Sequence, residues 1–486
     1  MENLPKSFYE IFNQMKTVYP ENIAIRYYEN ELVEKTYREY HDDIRRFIAY
    51  LMQSGVNSRS HIAILAKNSY SYAVAIHAII LFDCVVVPLN PDATQQEIHQ
   101  QLETADVSVL LCDDYSANRN DMPLSEFGCA CLNIHGYLYC DPIEVRDLCQ
   151  LDQLCMILFT SGTTGQSKGV MFNQKNIMAA LNIHTSDAVF TMASIGMSGY
   201  RVNQITFLPL YHIAAMMEVI ECAFVGSIFS LCLDVRNIFR DLNVMKSHFI
   251  VLPPVLVEFF LKRAIQSPEI VHDFPIVCSA ASAANRDAMM ELQKRGVMVK
   301  QLYAMTETFG VGTFDHRTNN EYASSVGVGS PYMEYSIIDE EICMRGNCVM
   351  MGYYQDPDAT SAAIDENGWF HTGDLGRIDE DGYFYITGRK KNLIILSNGE
   401  NVSPEELEQL LKKLDQVEDV LVYEKNGKIC AMIYCSEGAC RDEVNKRVHK
   451  LNQTLPRFKQ ISLVEFTDDP IVRSALGKEK RRNGKE

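Results

Sequence analysis

Residues 158–170 read Leu-Phe-Thr-Ser-Gly-Thr-Thr-Gly-Gln-Ser-Lys-Gly-Val, with hydroxyls at Thr160, Ser161, Thr163 and Thr164, glycines at Gly162 and Gly165, and one cation, Lys168. Glycines let a backbone fold so that successive N–H groups point inward, and hydroxyls add further donors. Lys168 supplies a full positive charge. This is chemistry for cradling a phosphate chain, and the apolar run "MILF" before it predicts a strand that delivers the loop. A Walker loop ends in Gly-Lys-Ser/Thr, whereas here Gln166 and Ser167 separate Gly165 from Lys168. That spacing excludes a P-loop kinase.

Four later stretches carry further reactive types: "FLPLYHIAAM", "YAMTETFG", "GWFHTGDLGRIDEDGYFYITGRKKNLIILSNGENVSPEELE" and "RSALGKEKR". With the loop, in this order and over essentially the whole chain, they resemble the adenylate-forming (AMP-binding) superfamily. That superfamily includes acyl-CoA synthetases, firefly luciferase and nonribosomal-peptide adenylation domains. The acyl-CoA synthetase type is the expectation, with ATP, Mg²⁺ and coenzyme A as cofactors. Its reaction brings a carboxylate against the α-phosphate of ATP, so two anions need positive charge and a metal between them.

The resemblance implies a role for each matched residue. Thr160–Gly165 and Lys168 would hold the phosphates that leave as pyrophosphate. Glu307 would ligate Mg²⁺, and Thr306 would touch the α-phosphate. Asp374 would accept both ribose hydroxyls, as a carboxylate can, with Arg389 behind it. Ile386 and Tyr303 would flank adenine. Relatives commonly have Gly-Gly-Ala-Pro at the adenine-contacting turn, where this chain has Ala280-Ala281-Ser282-Ala283. The added methyl groups would narrow the pocket, as would Ala304 in place of a glycine. Lys478 would bridge the substrate carboxylate and the α-phosphate. Lys391 would be the hinge about which a small domain turns, bringing the face around Gly399 to the thiol.

His212 follows Tyr211 where amino-acid-activating relatives carry an aspartate. An imidazole does not replace that carboxylate for an α-ammonium. An apolar acid (fatty, aryl or steroidal) is therefore expected, with Tyr211, His212, Met216, Ala280 and Ala304 lining its site. Met216 and Met217 serve equally well as core filler. Free coenzyme A is the expected acceptor, because the abbreviated "IIDEEICMRGN" leaves no room for an insertion typical of carrier-loading ligases. An acyl carrier protein is the alternative acceptor, and a non-catalytic nucleotide-binding homologue the alternative class.

The elements that position these residues alternate. "TYREYHDDIRRFIAYLMQSG" has helical spacing and stops at Gly55, "HIAILAK" reads as a strand, and "SYAVAIHAIILFD" reads as a helix feeding the strand "CVVVPLN". Strand, helix, strand implies parallel pairing through right-handed crossovers. "VSVLLCD", "QLCMILFTS", "SHFIVLPP" and "PIVCSA" repeat the theme. After Thr372 a hairpin turning at Asp381-Gly382 precedes a small α+β unit, whose first helix has Ser403 as N-cap and Glu406 placed for a capping box. The fold class expected is α/β: a large N-terminal domain with parallel or mixed sheets, residues 1–390, and a small mobile α+β domain, residues 391–486.

Composition sets the outer bounds. With 486 residues the chain exceeds one ordinary core. A net charge of −18 argues against a broad basic surface for nucleic acid. The fifteen cysteines form no CxxC pair and read as small buried hydrophobes of a reducing compartment. "MENLPKSFYEIF" lacks a signal-peptide core. The apolar run from Ala73 holds His77 and Asp83 and ends at Pro88, short of the ~20 residues of a membrane span. A cytoplasmic enzyme is expected.

Overall fold

The computed structural model describes residues 4–119, 124–148, 150–160, 167–194, 202–267, 276–280, 286–314, 325–396, 401–425 and 428–471. Two compact units emerge. One comprises Met1–Ala323, Gly327–Glu334 and Arg345–Gly368, and the other Ser324–Val326, Tyr335–Met344 and Trp369–Glu486.

The first unit is built on two large sheets. One runs, edge to edge, Gly352–Tyr353, Lys168–Asn173, Leu154–Thr160, Val85–Leu89, His61–Leu65, Val109–Cys112 and Ala130–Asn133. Its centre is parallel and its phosphate-loop end antiparallel. Val85–Leu89 is buried throughout, the pattern of a strand covered on both faces. The helix Tyr70–Leu81 is buried on every side, which explains an apolar run without amphipathic period. Helix Tyr37–Gln53 starts at a capping box between Thr36 and Glu39 and ends just before Gly55, at φ +76°.

The second large sheet has parallel central strands in the order Met298–Ala304, Ile276–Ser279, Phe249–Leu252, Asn203–Thr206, Ile228–Leu231 and Ile23–Tyr28. One face packs Ile205, Ile250, Val277 and Val299 against Leu242, Met245, Val257, Phe260 and Leu292 of the covering helices. The carboxyl ends of such strands are where ligand crevices form in open α/β sheets.

The second unit opens with four antiparallel strands: Glu334–Ile338, Glu341–Arg345, Phe370–Ile378 and Phe384–Arg389. The first pair turns through Asp339 and Glu340, at φ 49° and 63°, a two-residue reversal that matches strand twist. The last pair turns at Asp379–Gly382, where Asp379 Oδ1 accepts from the N–H groups of Asp381 and Tyr383. Beyond it, Val417–Lys425, Lys428–Cys435 and Leu463–Thr467 form a sheet. Its core of Val420, Val422, Ile429 and Ile433 takes Leu407 and Leu411 from helix Pro404–Leu411 and Val444 and Val448 from helix Arg441–Asn452. Ser403 does cap Pro404–Leu411. Glu406, however, holds Lys459 Nζ with both oxygens, at 2.7 and 2.9 Å, so a tertiary ion pair takes the acid that the local motif would have used.

Among the described residues the cysteines are free thiols, most of them buried, and no helix is long and apolar enough to cross a membrane.

Candidate active site

In the first unit, Thr160 and Lys168 face each other across the antiparallel pair Leu154–Thr160 and Lys168–Asn173. Both stems of the candidate phosphate loop are therefore pinned. Ser161, Gly162, Thr163, Thr164 and Gly165 lie outside the described residues. Lys168 Nζ sits 4.8 Å from the centre of the Tyr353 ring, a contact that holds the amine in place without neutralising its charge.

Tyr353 in turn donates its hydroxyl to Glu307 Oε1 at 3.1 Å. Burial, and then the charge of Glu307, push the Tyr353 phenol well up, so it stays a donor. The turn carrying Thr306 and Glu307 is fixed by Met350 N–H on the Glu307 carbonyl at 2.8 Å. Gly352 makes the approach possible: it has φ +137°, and a Cβ there would stand 2.7 Å from Thr360 Cγ2. The structure thus brings together Lys168, Tyr353 and Glu307 from three distant stretches of the sequence, with Thr306 next to Glu307 in the chain.

The remaining first-unit candidates sit at strand ends. Tyr303 and Ala304 close Met298–Ala304 and pair with Thr313 and Gly312. Gly312 is obligatory there, because a Cβ would lie 1.9 Å from the Tyr303 carbonyl oxygen. Ala280 follows Ile276–Ser279 and donates its N–H to the Leu252 carbonyl at 3.2 Å. Ala281 and Ser282 lie outside the described residues. Tyr211 and His212 have ring centres 5.2 Å apart, and His212 is the N-cap of helix Ile213–Val225. Asn68 clamps the preceding segment, donating to Leu208 O at 2.9 Å and accepting from Leu210 N–H at 2.8 Å. Met216 is fully buried.

The second unit holds the other candidates. Asp374 and Arg389 are cross-strand partners, joined by Nε–Oδ1 at 2.5 Å. Thr372 Oγ1 accepts from Asp374 N–H at 3.0 Å. Ile386 pairs with Gly376 on the same ribbon. Lys391 lies in the turn Lys390–Asn392 just beyond it. Gly399 and Lys478 lie outside the described residues.

Beside Asp374 the structure reveals a group that the motifs did not point to. Buried Glu341 accepts from Gly373 N–H at 2.7 Å, Lys390 Nζ at 2.9 Å and His371 Nδ1 at 3.1 Å. Burial works against its charge, but Lys390, His371 and the Gly373 N–H outweigh it and hold the carboxyl below its usual range. The signal in sequence was faint: a doubled lysine after Arg389, and a glutamate thirty residues before His371. Tyr353 left even less trace.

A lone carboxylate oriented by a neutral phenol, beside a lysine at a phosphate-type loop, suits Mg²⁺. That ion takes one or two protein oxygens and fills its remaining positions from water and phosphate. Ligand groups gather beyond the carboxyl ends of parallel strands in open α/β sheets, and Glu307 follows such a strand, Met298–Ala304.

Comparison with known proteins makes the class specific. The AMP-binding enzyme profile matches residues 12–354. A 4-coumarate–CoA ligase-like 1 of Arabidopsis thaliana is 28% identical, over 92% of this chain and 88% of its own length. The 2-succinylbenzoate–CoA ligase of Geobacillus kaustophilus is 27% identical, over 95% and 94%. The solved O-succinylbenzoate coenzyme A synthetase of Bacillus subtilis, in complex with ATP and magnesium ion, shares the fold with a TM-score of 0.82, at 24% identity, over 96% and 98% of the two chains. The chain belongs to the AMP-binding enzyme family. It is an AMP-forming acid–thiol ligase.

Proposed function

We propose that this enzyme activates an apolar-bodied carboxylic acid as its acyl-adenylate and passes the acyl group to free coenzyme A in the cytoplasm. The observation that carries the reading is the run Lys168–Tyr353–Glu307, in which a cation and a carboxylate are steadied by one phenol. In this reading Thr160–Gly165 and Lys168 bind the departing phosphates, and Glu307 orients Mg²⁺, whose charge offsets that of the triphosphate. Thr306 meets the α-phosphate. Asp374, held by Arg389, takes the ribose hydroxyls, while Tyr303, Ile386, Ala281 and Ser282 surround adenine.

Lys478 supplies the cation between carboxylate and α-phosphate. The functional boundary lies at residue 390, with 1–390 as the adenylation domain and 391–486 turning about Lys391 to bring Gly399 to the thiol. Tyr211, His212, Met216, Ala280 and Ala304 form the acid site, and the apolar helix Ile213–Val225 supports an apolar body. Relatives carry the names 4-coumarate–CoA ligase-like 1 and 2-succinylbenzoate–CoA ligase, and both named acids have aryl bodies. The two-residue turn at Asp339–Glu340 supports the free thiol as acceptor.

Carboxylate-dependent ATP–pyrophosphate exchange over a panel of fatty, aryl and steroidal acids tests the first half. Exchange with at least one apolar acid is expected, and exchange confined to amino acids would refute the reading. Thioester formation with free coenzyme A, against a phosphopantetheinylated carrier protein, tests the acceptor.

A further inference from the structure

The antiparallel ribbon that opens the second unit carries a cluster to which the adenylation reading gives no task. Cys343 of Glu341–Arg345 pairs directly with His371 of Phe370–Ile378, and residues opposed across an antiparallel pair share a face. Glu341, two residues before Cys343, points the same way. The register slips between the two, so that Glu341 stands opposite Leu375 while Cys343 stands opposite His371. Gly373, at φ +73°, lies in the slack of that irregularity. Such bulges re-aim side chains, and here Glu341 meets His371 and the Gly373 N–H.

The donor atoms converge. Cys343 Sγ lies 3.5 Å from His371 Nδ1, and that nitrogen lies 3.1 Å from Glu341 Oε2. One sulfur, one nitrogen and one carboxylate oxygen all fall within 4.8 Å of one another. Cys343 and Glu341 are buried, whereas the His371 side chain keeps 25% of its surface open. A single ring nitrogen cannot serve both neighbours by hydrogen bonding: protonated, it donates to the acid, and unprotonated, it accepts from the thiol. A cation between the three atoms uses a lone pair from each.

The spacings fit a tetrahedral ion. Metal–sulfur bonds of about 2.3 Å and metal–nitrogen or metal–oxygen bonds of about 2.0–2.1 Å put neighbouring ligand atoms roughly 3.3–3.5 Å apart at tetrahedral angles. The 3.5 and 3.1 Å separations lie close to those edges. Thiolate and imidazole ligands suit Zn²⁺, whereas Mg²⁺ and Ca²⁺ take oxygen. The cluster is therefore chemically distinct from Glu307.

Charge and protons balance. Zn²⁺ with one carboxylate and one thiolate is neutral overall. Binding releases the Cys343 thiol proton to water and leaves the imidazole proton on Nε2, which frees the Nδ1 lone pair. Lys390 Nζ, 2.9 Å from Glu341 Oε2, then becomes surplus charge. Its side chain is 56% exposed, so the amine can swing into solvent. Glu341 Oε1 meanwhile keeps the Gly373 N–H.

We propose that Glu341, Cys343 and His371 form a Zn²⁺ site, three residues from Asp374, whose fourth position is open to water on the exposed side of His371. The site does not depend on which acid or which thiol the enzyme uses.

The test takes the full-length enzyme, strips it with a chelator and supplies Zn²⁺ in the presence of excess Mg²⁺, which fills oxygen-only sites. Competition with a chromogenic chelator reads stoichiometry and affinity, and Co²⁺ in place of Zn²⁺ reads the ligand type. The wild type should hold a single Zn²⁺ per chain tightly and show a thiolate-to-cobalt charge-transfer band. Cys343→Ser and His371→Asn should each weaken Zn²⁺ binding by at least about 100-fold, since even outer-shell partners of a metal are worth roughly 10–100-fold. Cys343→Ser should also lose the cobalt band. Lys390→Met removes the competing amine and should bind Zn²⁺ more tightly than the wild type. No stoichiometric binding, a cobalt band that survives Cys343→Ser, or weaker binding in Lys390→Met overturns the proposal. A surviving band would put the ion on another thiol, such as the exposed Cys131 or Cys440. Should Cys343→Ser fail to fold, His371→Asn and Lys390→Met decide with the thiol intact, and wild-type affinity in His371→Asn refutes the site.

Discussion

The two units handle charge in opposite ways. In the second, the acids near the candidate ribose site are already matched: Asp374 by Arg389, and Glu341 by Lys390, His371 and a backbone N–H. In the first, Lys168 rests on an aromatic ring and Glu307 meets a neutral phenol. Ion pairs taken from water need full compensation within the protein. A lysine over a ring and a carboxylate beside a phenol keep their charge for a partner that arrives. Asp374 and Glu341 are thus matched within the folded chain, whereas in the proposed reading Lys168 and Glu307 are completed by nucleotide and metal.

If that contrast is right, the strongest loss should come from removing the cation that joins the two anions at the moment of reaction. Lys478→Ala should lower acyl-adenylate formation roughly 10²–10³-fold, the usual cost of losing one donor aimed at developing charge. Thioester formation from supplied acyl-adenylate should stay largely intact. Single-turnover assays of the two halves separate these outcomes, and equal loss in both would remove Lys478 from the adenylation step. Next comes Lys391→Pro. A ring at a position that must absorb backbone rotation should block one half-reaction and spare the other, and full rates in both would dismiss the hinge.

Tyr353→Phe probes the first unit's open charges directly. It removes the hydroxyl on Glu307 but keeps the ring under Lys168, so the proposed metal ligand is loosened while the cation stays seated. One hydrogen bond to a charged group is worth about 1.5–3 kcal/mol. The expected change is roughly tenfold in the Mg²⁺ concentration needed for half-maximal pyrophosphate exchange, with little change in acid KM. An unaltered Mg²⁺ dependence would mean that the phenol merely packs.

The sequence reading reached the framework because its cues were local. Alternating apolar runs marked Val85–Leu89, Leu154–Thr160 and Ile276–Ser279, and Asp381-Gly382 marked the ribbon that carries Asp374. Candidate site residues could be named where they belonged to motif runs, such as Thr306-Glu307. Tyr353 was not, since its meeting with Glu307 depends on Gly352–Tyr353 pairing with Val170 and Met171, far away in sequence. Glu341 was hidden for a similar reason. A glutamate in a strand or helix looks the same whether it faces water or three donors, and only packing tells which. The capping-box glutamate, Glu406, shows the converse, a clear local cue overruled by Lys459.

The smallest effect sharpens the matched side of the contrast. Glu341 has a carboxyl lowered from 4.5 in the folded chain, so it binds protons more readily when unfolded. Its contribution is therefore present above the unfolded value and is lost as pH falls through the folded one. Lys390, raised by the same pairing, contributes fully below its unfolded value near 10.5 and loses that share only as pH rises beyond it. Between those limits Glu341→Gln should destabilise the second unit by about 1–3 kcal/mol, the cost of disturbing a buried hydrogen-bonded acid. Urea denaturation at pH 7 should show the deficit. Repeating it toward and below pH 4 should bring variant and wild type together, because the wild-type carboxylate is then protonated and resembles the amide. A deficit constant from pH 7 to pH 3 would mean that shape rather than charge holds Gly373, and with it Asp374, in place.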